Sequence, residues 1–210
     1  MRLSLTARLT MGVLCCLGAS AVPAASGQQL FVQCVACHGA QAAGNPAVGA
    51  PAIAGQQLAY LQRQLQNFRA GIRGTHPADT QGAQMRAIAQ TLPNDAALAS
   101  VAAYVASLPQ TTVKPAAGAD LKNGNNLYQG KCGACHGTRA EGNVALATPR
   151  LAGLDALYLR RQFQHFAQGQ RGAHPKDTYG RQMAMMSKTL PTPKDLDDVI
   201  AYVQAQGGVR

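Results

Sequence analysis

Apolar residues recur at helical spacing in four stretches of the chain. Within residues 58–68 and 98–108 they follow one another at intervals of three or four positions, which places them on one face of a helix. The same spacing returns within residues 159–166 and 196–203. No stretch alternates apolar and polar residues with a period of two, as a half-buried strand would. The pattern therefore predicts an all-α protein.

The four stretches belong to two copies of one sequence. When residues 34–107 are aligned without gaps on residues 132–205, 36 of the 74 positions are identical. Such self-similarity indicates a duplicated unit. Each copy is expected to contain a short helix, a middle helix, a loop and a closing helix, with Asn94 and Thr192 as N-caps of the closing helices.

A stretch of prolines and small residues separates the two copies. Residues 109–119 contain two prolines and no apolar stripe, which is typical of an extended linker. We therefore expect an N-terminal domain over residues 27–108 and a C-terminal domain over residues 120–210.

Residues 1–26 have the layout of a secretory signal peptide. Arg2 and Arg8 give a positive start, residues 9–22 are apolar, and small residues follow up to Ser26. This order predicts export, and in a bacterium it places the mature protein in the periplasm. An uncleaved N-terminal anchor is the alternative, although the apolar stretch is short for a membrane span.

The composition leaves the two predicted cores short of large apolar side chains. Hydrophobic residues make up 47% of the chain, but aromatic residues only 5%, and tryptophan is absent. A further apolar group is therefore expected to fill each core. The formal net charge of +10 suggests an anionic partner or surface, but the basic residues form no long run, so nucleic-acid binding is not indicated.

Two C-x-x-C-H motifs indicate which apolar group fills each core. They contain all the cysteines that follow the signal segment, namely Cys34, Cys37, Cys132 and Cys135. Two thiols at this spacing can both bond one porphyrin, and the next residue, His38 or His136, then reaches its iron. The motifs therefore predict two covalently bound haem c groups. A redox dithiol and a zinc site are the alternatives for such cysteine pairs.

Each iron needs a second axial ligand. In class I c-type domains, which these motifs resemble, a methionine on a downstream loop usually completes the iron. Met85 and Met183 occupy equivalent positions, each 47 residues after its motif histidine, and a thioether suits ferrous iron. The competing candidates are Met185, Met186, His76 and His174. Because each of these histidines precedes a proline in a loop, we expect it to bond the backbone or to lie at the surface.

Several other polar positions repeat in both copies. In the same class of domain a proline carbonyl accepts the N–H of the iron-binding histidine, and Pro51 and Pro149 lie at the matching places. His165 replaces Asn67 of the first copy and is expected to be an ordinary helix residue. The candidates to neutralise haem propionates, with helix-surface polarity as the alternative, are Tyr60, Arg63, Gln64, Arg73, Tyr158, Arg161, Gln162 and Arg171.

The chain after the signal segment resembles the dihaem cytochromes of the c4 type. The resemblance rests on both C-x-x-C-H motifs, on the Tyr-Leu-x-x-Gln stretches that begin at Tyr60 and Tyr158, and on Met85 and Met183. It implies two tandem class I cytochrome c domains with their haem edges close together. It also implies electron transfer in the periplasm, often at the membrane surface, toward a terminal oxidase.

Three classes of function are compatible with two haems. A pure electron carrier needs two closed irons, and the equivalent ligand sets favour it. The dihaem subunit of a flavocytochrome c sulfide dehydrogenase is similar and would have a flavoprotein as its partner. A dihaem enzyme needs one open iron, against which a methionine at both sites argues. We therefore expect a carrier rather than an enzyme, with a membrane oxidase or reductase, or a flavoprotein subunit, as redox partner.

The two copies differ in charge. Residues 27–110 contain four arginines and two aspartates, a net +2, whereas residues 111–210 contain thirteen basic and seven acidic residues, a net +6. Basic residues near a haem edge steer a carrier toward an acidic partner. The C-terminal domain is therefore the expected docking face for an acidic partner or for anionic lipid headgroups.

Overall fold

The computed structural model describes residues 25–207, and within this range the regular structure is helical. The only strand-like pairings there are two isolated β-bridges, one in each copy. The all-α prediction is thus confirmed. The helices run in chain order as α1 (Gly27–Phe31), α2 (Val35–His38), α3 (Leu58–Arg69), α4 (Thr80–Gln90), α5 (Asp95–Ser107), α6 (Leu121–Lys131), α7 (Gly133–His136), α8 (Ala156–Ala167), α9 (Thr178–Met186) and α10 (Pro193–Gln206).

Most of the predicted signal segment, residues 1–24, lies outside the described residues. Ser26, the last residue assigned to that segment, caps α1: its side chain accepts the Gln29 N–H, and the Gln29 side chain accepts the Ser26 N–H. Among the described helices, none is both long enough and apolar enough to cross a membrane.

The first and last helices of each copy pack against each other, α1 against α5 and α6 against α10. One aromatic pair lies at each of these contacts. The Phe31 and Tyr104 rings are 5.5 Å apart between their centroids, and the Tyr128 and Tyr202 rings 5.3 Å apart. These contacts fix the cysteine motif, which follows the first helix, relative to the closing helix.

The apolar core of each copy is small, as the composition indicated. Each core has one fully buried aromatic ring, Phe31 in the N-terminal domain and Tyr128 in the C-terminal domain. The remaining buried members are Ala42, Ala54, Leu61, Leu92, Leu98, Val101, Ala102 and Val105 in the first core, and Ala140, Ala152, Val199 and Val203 in the second.

The candidate methionine ligands lie on helices, so the prediction of a loop at this place was wrong. Met85 is on α4 and Met183 on α9. A buried aspartate, Asp79 or Asp177, caps each helix by accepting the N–H of the third helical residue at 2.9 Å. The sequence of α4 is rich in small and polar residues and has no apolar stripe, which is why periodicity did not reveal it. Its N-cap supplies the start signal instead.

The remaining boundaries agree with the sequence pattern. Asn94 accepts the Ala97 N–H at 2.9 Å and Thr192 accepts the Asp195 N–H at 3.2 Å, so both predicted N-caps of the closing helices are confirmed. Residues 109–119 contain no helix. The segment contacts the C-terminal domain at Thr111, whose hydroxyl donates to the Gly153 carbonyl at 3.1 Å.

Candidate haem sites

Each C-x-x-C-H motif forms a short helix whose last residue is the histidine. His38 ends α2 and His136 ends α7, and both side chains are buried. In each pair the first thiol is half-buried and the second is exposed: Cys34 and Cys132 are the covered ones. All four cysteines line the cavity of their own domain. The thiols and the histidine of one motif therefore face one and the same space.

The environment of the cysteines does not favour redox-dithiol chemistry. Burial raises the pKa of the Cys34 thiol to about 11, and the neighbouring Cys37 adds to the effect. Burial also raises the pKa of Cys132 to about 11, although Lys131 opposes the rise. Reactive dithiols need a lowered thiol pKa, because the thiolate is the nucleophile. Attachment of a porphyrin, in contrast, removes both thiols as titrating groups.

In the N-terminal domain the two candidate axial ligands face each other. The Nδ1–H of His38 donates to the Pro51 carbonyl at 2.9 Å, so its Nε2 carries no proton. The Met85 sulfur lies 3.5 Å from this Nε2. Both atoms are electron-pair donors with no hydrogen between them. Such an arrangement fits a metal ion held by both atoms.

In the C-terminal domain the histidine is held in the same way. The Nδ1–H of His136 donates to the Pro149 carbonyl at 3.0 Å, so the expected role of both prolines is confirmed. Met183 and Met186 both line the cavity that contains His136. Met185, in contrast, is 66% exposed and does not line this cavity. The sulfurs within reach of this site are therefore those of Met183 and Met186.

A tight loop presents each proline carbonyl to its histidine. The Gly44 N–H donates to the His38 carbonyl at 2.9 Å, which closes the loop just after the motif. Gly44 has a φ of +84°, and a Cβ atom there would overlap the backbone at Pro51. Gly142 holds the same position before Pro149, with a φ of +80°. Only glycine satisfies both the backbone conformation and the close approach.

Two apolar cavities contain these ligands, and their walls fit a porphyrin. Each is lined by aliphatic and aromatic side chains of its own core, together with its cysteine motif and its methionine helix. Tyr60, Tyr158, Gln64 and Gln162 line both cavities. The two cavities are therefore neighbours across one shared wall, and a haem in each supplies the apolar bulk that the small cores lack.

A closed set of hydrogen bonds crosses the shared wall. Arg73 donates to the Gln64 side-chain oxygen at 2.7 Å and to that of Gln162 at 3.0 Å. Arg171 donates to the same two oxygens, at 3.0 Å for Gln64 and 2.7 Å for Gln162. All four side chains are buried. We call this set the Arg–Gln square. It obeys the symmetry of the duplication and joins the two domains.

Two further arginines bind the loop of the opposite domain. Arg63 of α3 donates to the Ala147 carbonyl at 2.5 Å, and Arg161 of α8 donates to the Gly49 carbonyl at 2.6 Å. The residues that the sequence offered for propionate binding thus lie at the interface between the domains, beside both cavities. The alternative of plain helix-surface polarity was wrong for the four residues of the Arg–Gln square, because they are buried.

The arginines make this wall strongly electropositive. Burial alone would raise the pKa of the Tyr60 hydroxyl, but the guanidinium groups of Arg171, Arg73 and Arg63 outweigh burial and lower it. The Arg171 guanidinium also donates to the Tyr60 oxygen at 3.2 Å. The wall is therefore suited to face anionic groups from either cavity.

The histidines outside the motifs have different positions. His76 is exposed and His174 half-exposed, and the ring Nδ1 of each accepts a backbone N–H two residues further on, at 3.2 and 3.1 Å. Neither lines a cavity. His165 is not the ordinary helix residue that the sequence suggested, because it is buried at the interface, 3.6 Å from Asp79 of the other domain. The only sign in the sequence that His165 differs from its counterpart was that it replaces Asn67 of the first copy.

Comparison with known proteins agrees with this architecture. The sequence model of the family Cytochrome c matches twice, over residues 24–109 and 121–206. The chain is 33% identical to cytochrome c4 of Azotobacter vinelandii, over 95% of this chain and 96% of that one. It is 32% identical to a thiosulfate dehydrogenase electron acceptor of Stutzerimonas stutzeri, over 78% of this chain and 81% of that one.

A solved structure extends the similarity to the whole arrangement. The crystal structure of reduced recombinant cytochrome c4 from Pseudomonas stutzeri superposes with a TM-score of 0.69 at 29% identity, covering 85% of this chain and 95% of that one. The fold and the two motifs therefore define a c-type cytochrome with two covalently bound haem c groups. The chain belongs to the cytochrome c family, and within it to the dihaem cytochromes c4. It is an electron carrier.

Proposed function

We propose that this protein carries single electrons through two six-coordinate haems between partners of a respiratory chain in the periplasm, toward a terminal oxidase. The axial ligands in the proposal are His38 and Met85 in the N-terminal domain, and His136 and Met183 in the C-terminal domain. Bound haem stores one electron at each iron. The protein holds the ligands, excludes water and sets the distance between the two sites.

The opposed His38 and Met85 side chains carry this proposal. The Met85 sulfur and the His38 Nε2 are 3.5 Å apart, and the His38 Nδ1–H donates to Pro51, so both side chains would serve as ligands and leave no position on the iron for a substrate. Met183 is assigned by the duplication, since it aligns with Met85 and lines the cavity beside His136. Two closed irons suit a carrier, because enzymes of this kind need one open iron.

A second candidate is an electron-accepting subunit of a dehydrogenase. It is favoured by the 32% identity to a protein named as a thiosulfate dehydrogenase electron acceptor. The ligand sets are the same in both cases, so the difference lies in the partner. A flavocytochrome c sulfide dehydrogenase would require a flavoprotein in that place.

The C-terminal domain offers the more suitable surface for an acidic partner or anionic lipids. Arg139, Lys176, Arg181 and Lys188 are exposed there. In the aligned first copy the matching residues are Gln41, Ala78, Ala83 and Gln90, none of which is charged. Arg181 lies on α9, the helix that also carries Met183, and Lys188 lies two residues after the end of this helix. Positive charge is therefore concentrated near one of the two haem sites, where it accelerates encounter with an acidic surface.

Rapid mixing with two kinds of partner separates the candidates. Reduced protein is mixed with bacterial membranes that contain a cytochrome oxidase, and oxidised protein is mixed with thiosulfate and a thiosulfate dehydrogenase. A free carrier is oxidised by the membranes without the dehydrogenase present. A dehydrogenase subunit is reduced by the enzyme, co-elutes with it and is not oxidised by the membranes. Failure of both reactions would overturn the proposed function.

A further inference from the structure

One buried histidine at the domain interface has no role in the haem sites. His165 lies on α8 of the C-terminal domain and is only 7% exposed. Its Nδ1 is 3.6 Å from a carboxylate oxygen of Asp79, which belongs to the N-terminal domain. Within residues 25–207 no group forms a hydrogen bond with this Nδ1. A buried polar atom without a partner is costly, so its persistence here needs an explanation.

Asp79 connects this histidine with the haem site of the N-terminal domain. The carboxylate is buried, with 3% exposure, and lines the cavity that contains His38 and Met85. It also accepts the Gly82 N–H at 2.9 Å and so caps the helix that carries Met85. A change of charge in this cavity would therefore act on the buried Asp79 carboxylate and, next to it, on His165.

Burial and the charges around His165 disfavour its protonated form. Burial lowers its pKa below the ordinary value of 6.5, and Asp79 partly offsets this. Three guanidinium groups add to the lowering: Arg161 from the same helix, Arg73 from the segment after α3, and Arg171 from the segment after α8. The Nδ1 and the Asp79 oxygen, 3.6 Å apart, are too far from each other for a hydrogen bond, so in the neutral state neither tautomer of the ring gives Nδ1 a partner.

We propose that His165 takes up a second ring proton when the haem of the N-terminal domain is reduced, and that the Nδ1–H of the imidazolium then donates to Asp79 in a charge-assisted hydrogen bond. One electron from the redox partner reduces ferric to ferrous iron, and one proton from water binds His165. Oxidation reverses both steps. Reduction removes one positive charge beside Asp79 and so favours a positive charge on the imidazole. The inference rests on the proposed function in one respect, since it needs the iron in this cavity.

The duplication supplies an internal control for this proton site. The first copy has Asn67 at the position of His165, and an asparagine cannot take up the proton. Asp177, the counterpart of Asp79, therefore has no such histidine in the aligned position of the other domain. Only one of the two haems is expected to have a reduction potential that depends on pH through this site.

Potentiometric titration of the holoprotein between about pH 5 and pH 8 tests the proposal, because unperturbed histidine titrates in this range. In the unsubstituted protein the potential of one haem falls as the pH rises, while that of the other changes less. His165→Asn, which introduces the residue of the first copy, removes the excess slope of the first haem and leaves the second unchanged. Identical pH profiles of the two proteins would overturn the inference.

A second measurement separates this inference from the proposed function. The ring of His165 is followed by NMR through pH titrations of the fully oxidised and the fully reduced holoprotein. The proposal requires a higher His165 pKa in the reduced state, and an equal pKa in both states overturns it. This readout does not depend on which side chain ligates the iron, whereas the ligand assignment is tested separately by carbon monoxide.

Discussion

Arg73 of the N-terminal domain donates to Gln162 of the C-terminal domain at 3.0 Å, and Arg171 makes the reciprocal bond to Gln64, also at 3.0 Å. Each glutamine oxygen thus accepts from two guanidinium groups, one from each domain. Within the described residues, no carboxylate forms an ion pair with either arginine. The neutral glutamines let two positive groups remain beside both haem cavities while they hold the domains together.

Loss of one glutamine of the Arg–Gln square is expected to destabilise the protein. Gln162→Leu leaves one N–H of each of two buried guanidiniums without an acceptor, which costs about 1–3 kcal/mol per unsatisfied group. The free energy of unfolding of the holoprotein measures the effect. Gln164→Leu, at an exposed position of the same helix, is the control and should change little. Equal stabilities of the two variants would contradict the role of the square.

Two glycines of α6 are expected to respond oppositely to alanine. A Cβ atom at Gly124 would overlap the carbonyl of Asp198 on α10, whereas nothing lies within 4 Å of one at Gly130. Gly124→Ala should therefore lower the free energy of unfolding by about 1–3 kcal/mol through overpacking. Gly130→Ala should raise it by up to about 1 kcal/mol through helix propensity. Denaturant titration of both variants measures their free energies of unfolding. A Gly124→Ala protein more stable than the unsubstituted one would disprove the close contact.

Asp198 is expected to make the C-terminal domain sensitive to acid. Its buried carboxylate accepts from Lys194 at 2.6 Å, from Asn123 at 2.9 Å and from the Asp120 N–H at 3.0 Å. These groups, Lys194 first, lower its pKa from 3.8 to about 2. Because the folded pKa lies below the unfolded one, the stabilisation is complete above about pH 4 and is lost as the pH falls toward 2.

Asp198→Asn should accordingly destabilise the protein at pH 7, and the difference should shrink toward pH 2. Thermal unfolding across this range measures it. Asp197→Asn removes the same charge from the same helix but at an exposed ion pair with Arg160, so it should have little effect at any pH. If Asp198→Asn changed the stability equally at every pH, the Asp198 carboxylate would not be the source of the acid sensitivity.

Substitution of the methionines is expected to distinguish the iron ligand of the C-terminal domain. Met183→Ala should open that iron, lower its reduction potential and allow carbon monoxide to bind about half of the reduced haem. Met186→Ile introduces the residue that the first copy has at this position, Ile88, and should leave the spectrum unchanged. If Met186→Ile, and not Met183→Ala, opens the iron, the ligand assignment passes to Met186.

Removal of two positive charges from the C-terminal domain is expected to slow its encounter with an acidic partner. The double substitution of Arg181→Ala and Lys188→Gln introduces the uncharged residues of the first copy. Oxidation by oxidase-containing membranes should then be slower at low salt and less sensitive to added salt, because electrostatic steering is screened by ions. Rates that do not change with salt in the unsubstituted protein would contradict docking through this surface.

The sequence was sufficient to predict the two haem attachment sites, because the porphyrin fixes the spacing of the two thiols and the histidine. The middle and closing helices followed from the spacing of their apolar residues. The helix that carries Met85 could not be predicted in this way, since its small and polar residues pack on the haem cavity and leave no apolar stripe. Its one signal, an aspartate N-cap, is short and common.

The domain interface was also beyond the reach of the sequence. Arg73, Gln64 and their counterparts repeat in both copies, and a repeat shows that a position matters without showing what it contacts. His165, in contrast, does not repeat, because the first copy has Asn67 at this position. The symmetry of the duplication therefore gave no information about its role. Its position beside Asp79 depends on how two domains pack, which no local pattern encodes.

Addition of carbon monoxide to the reduced, purified holoprotein tests the central claim most directly. The claim is that protein side chains occupy both axial positions of both irons, with Met85 and Met183 as the distal ligands. The visible spectrum should then stay unchanged, since neither iron has a free position. A shift in about half of the haem would show one open site and contradict the account of a pure electron carrier.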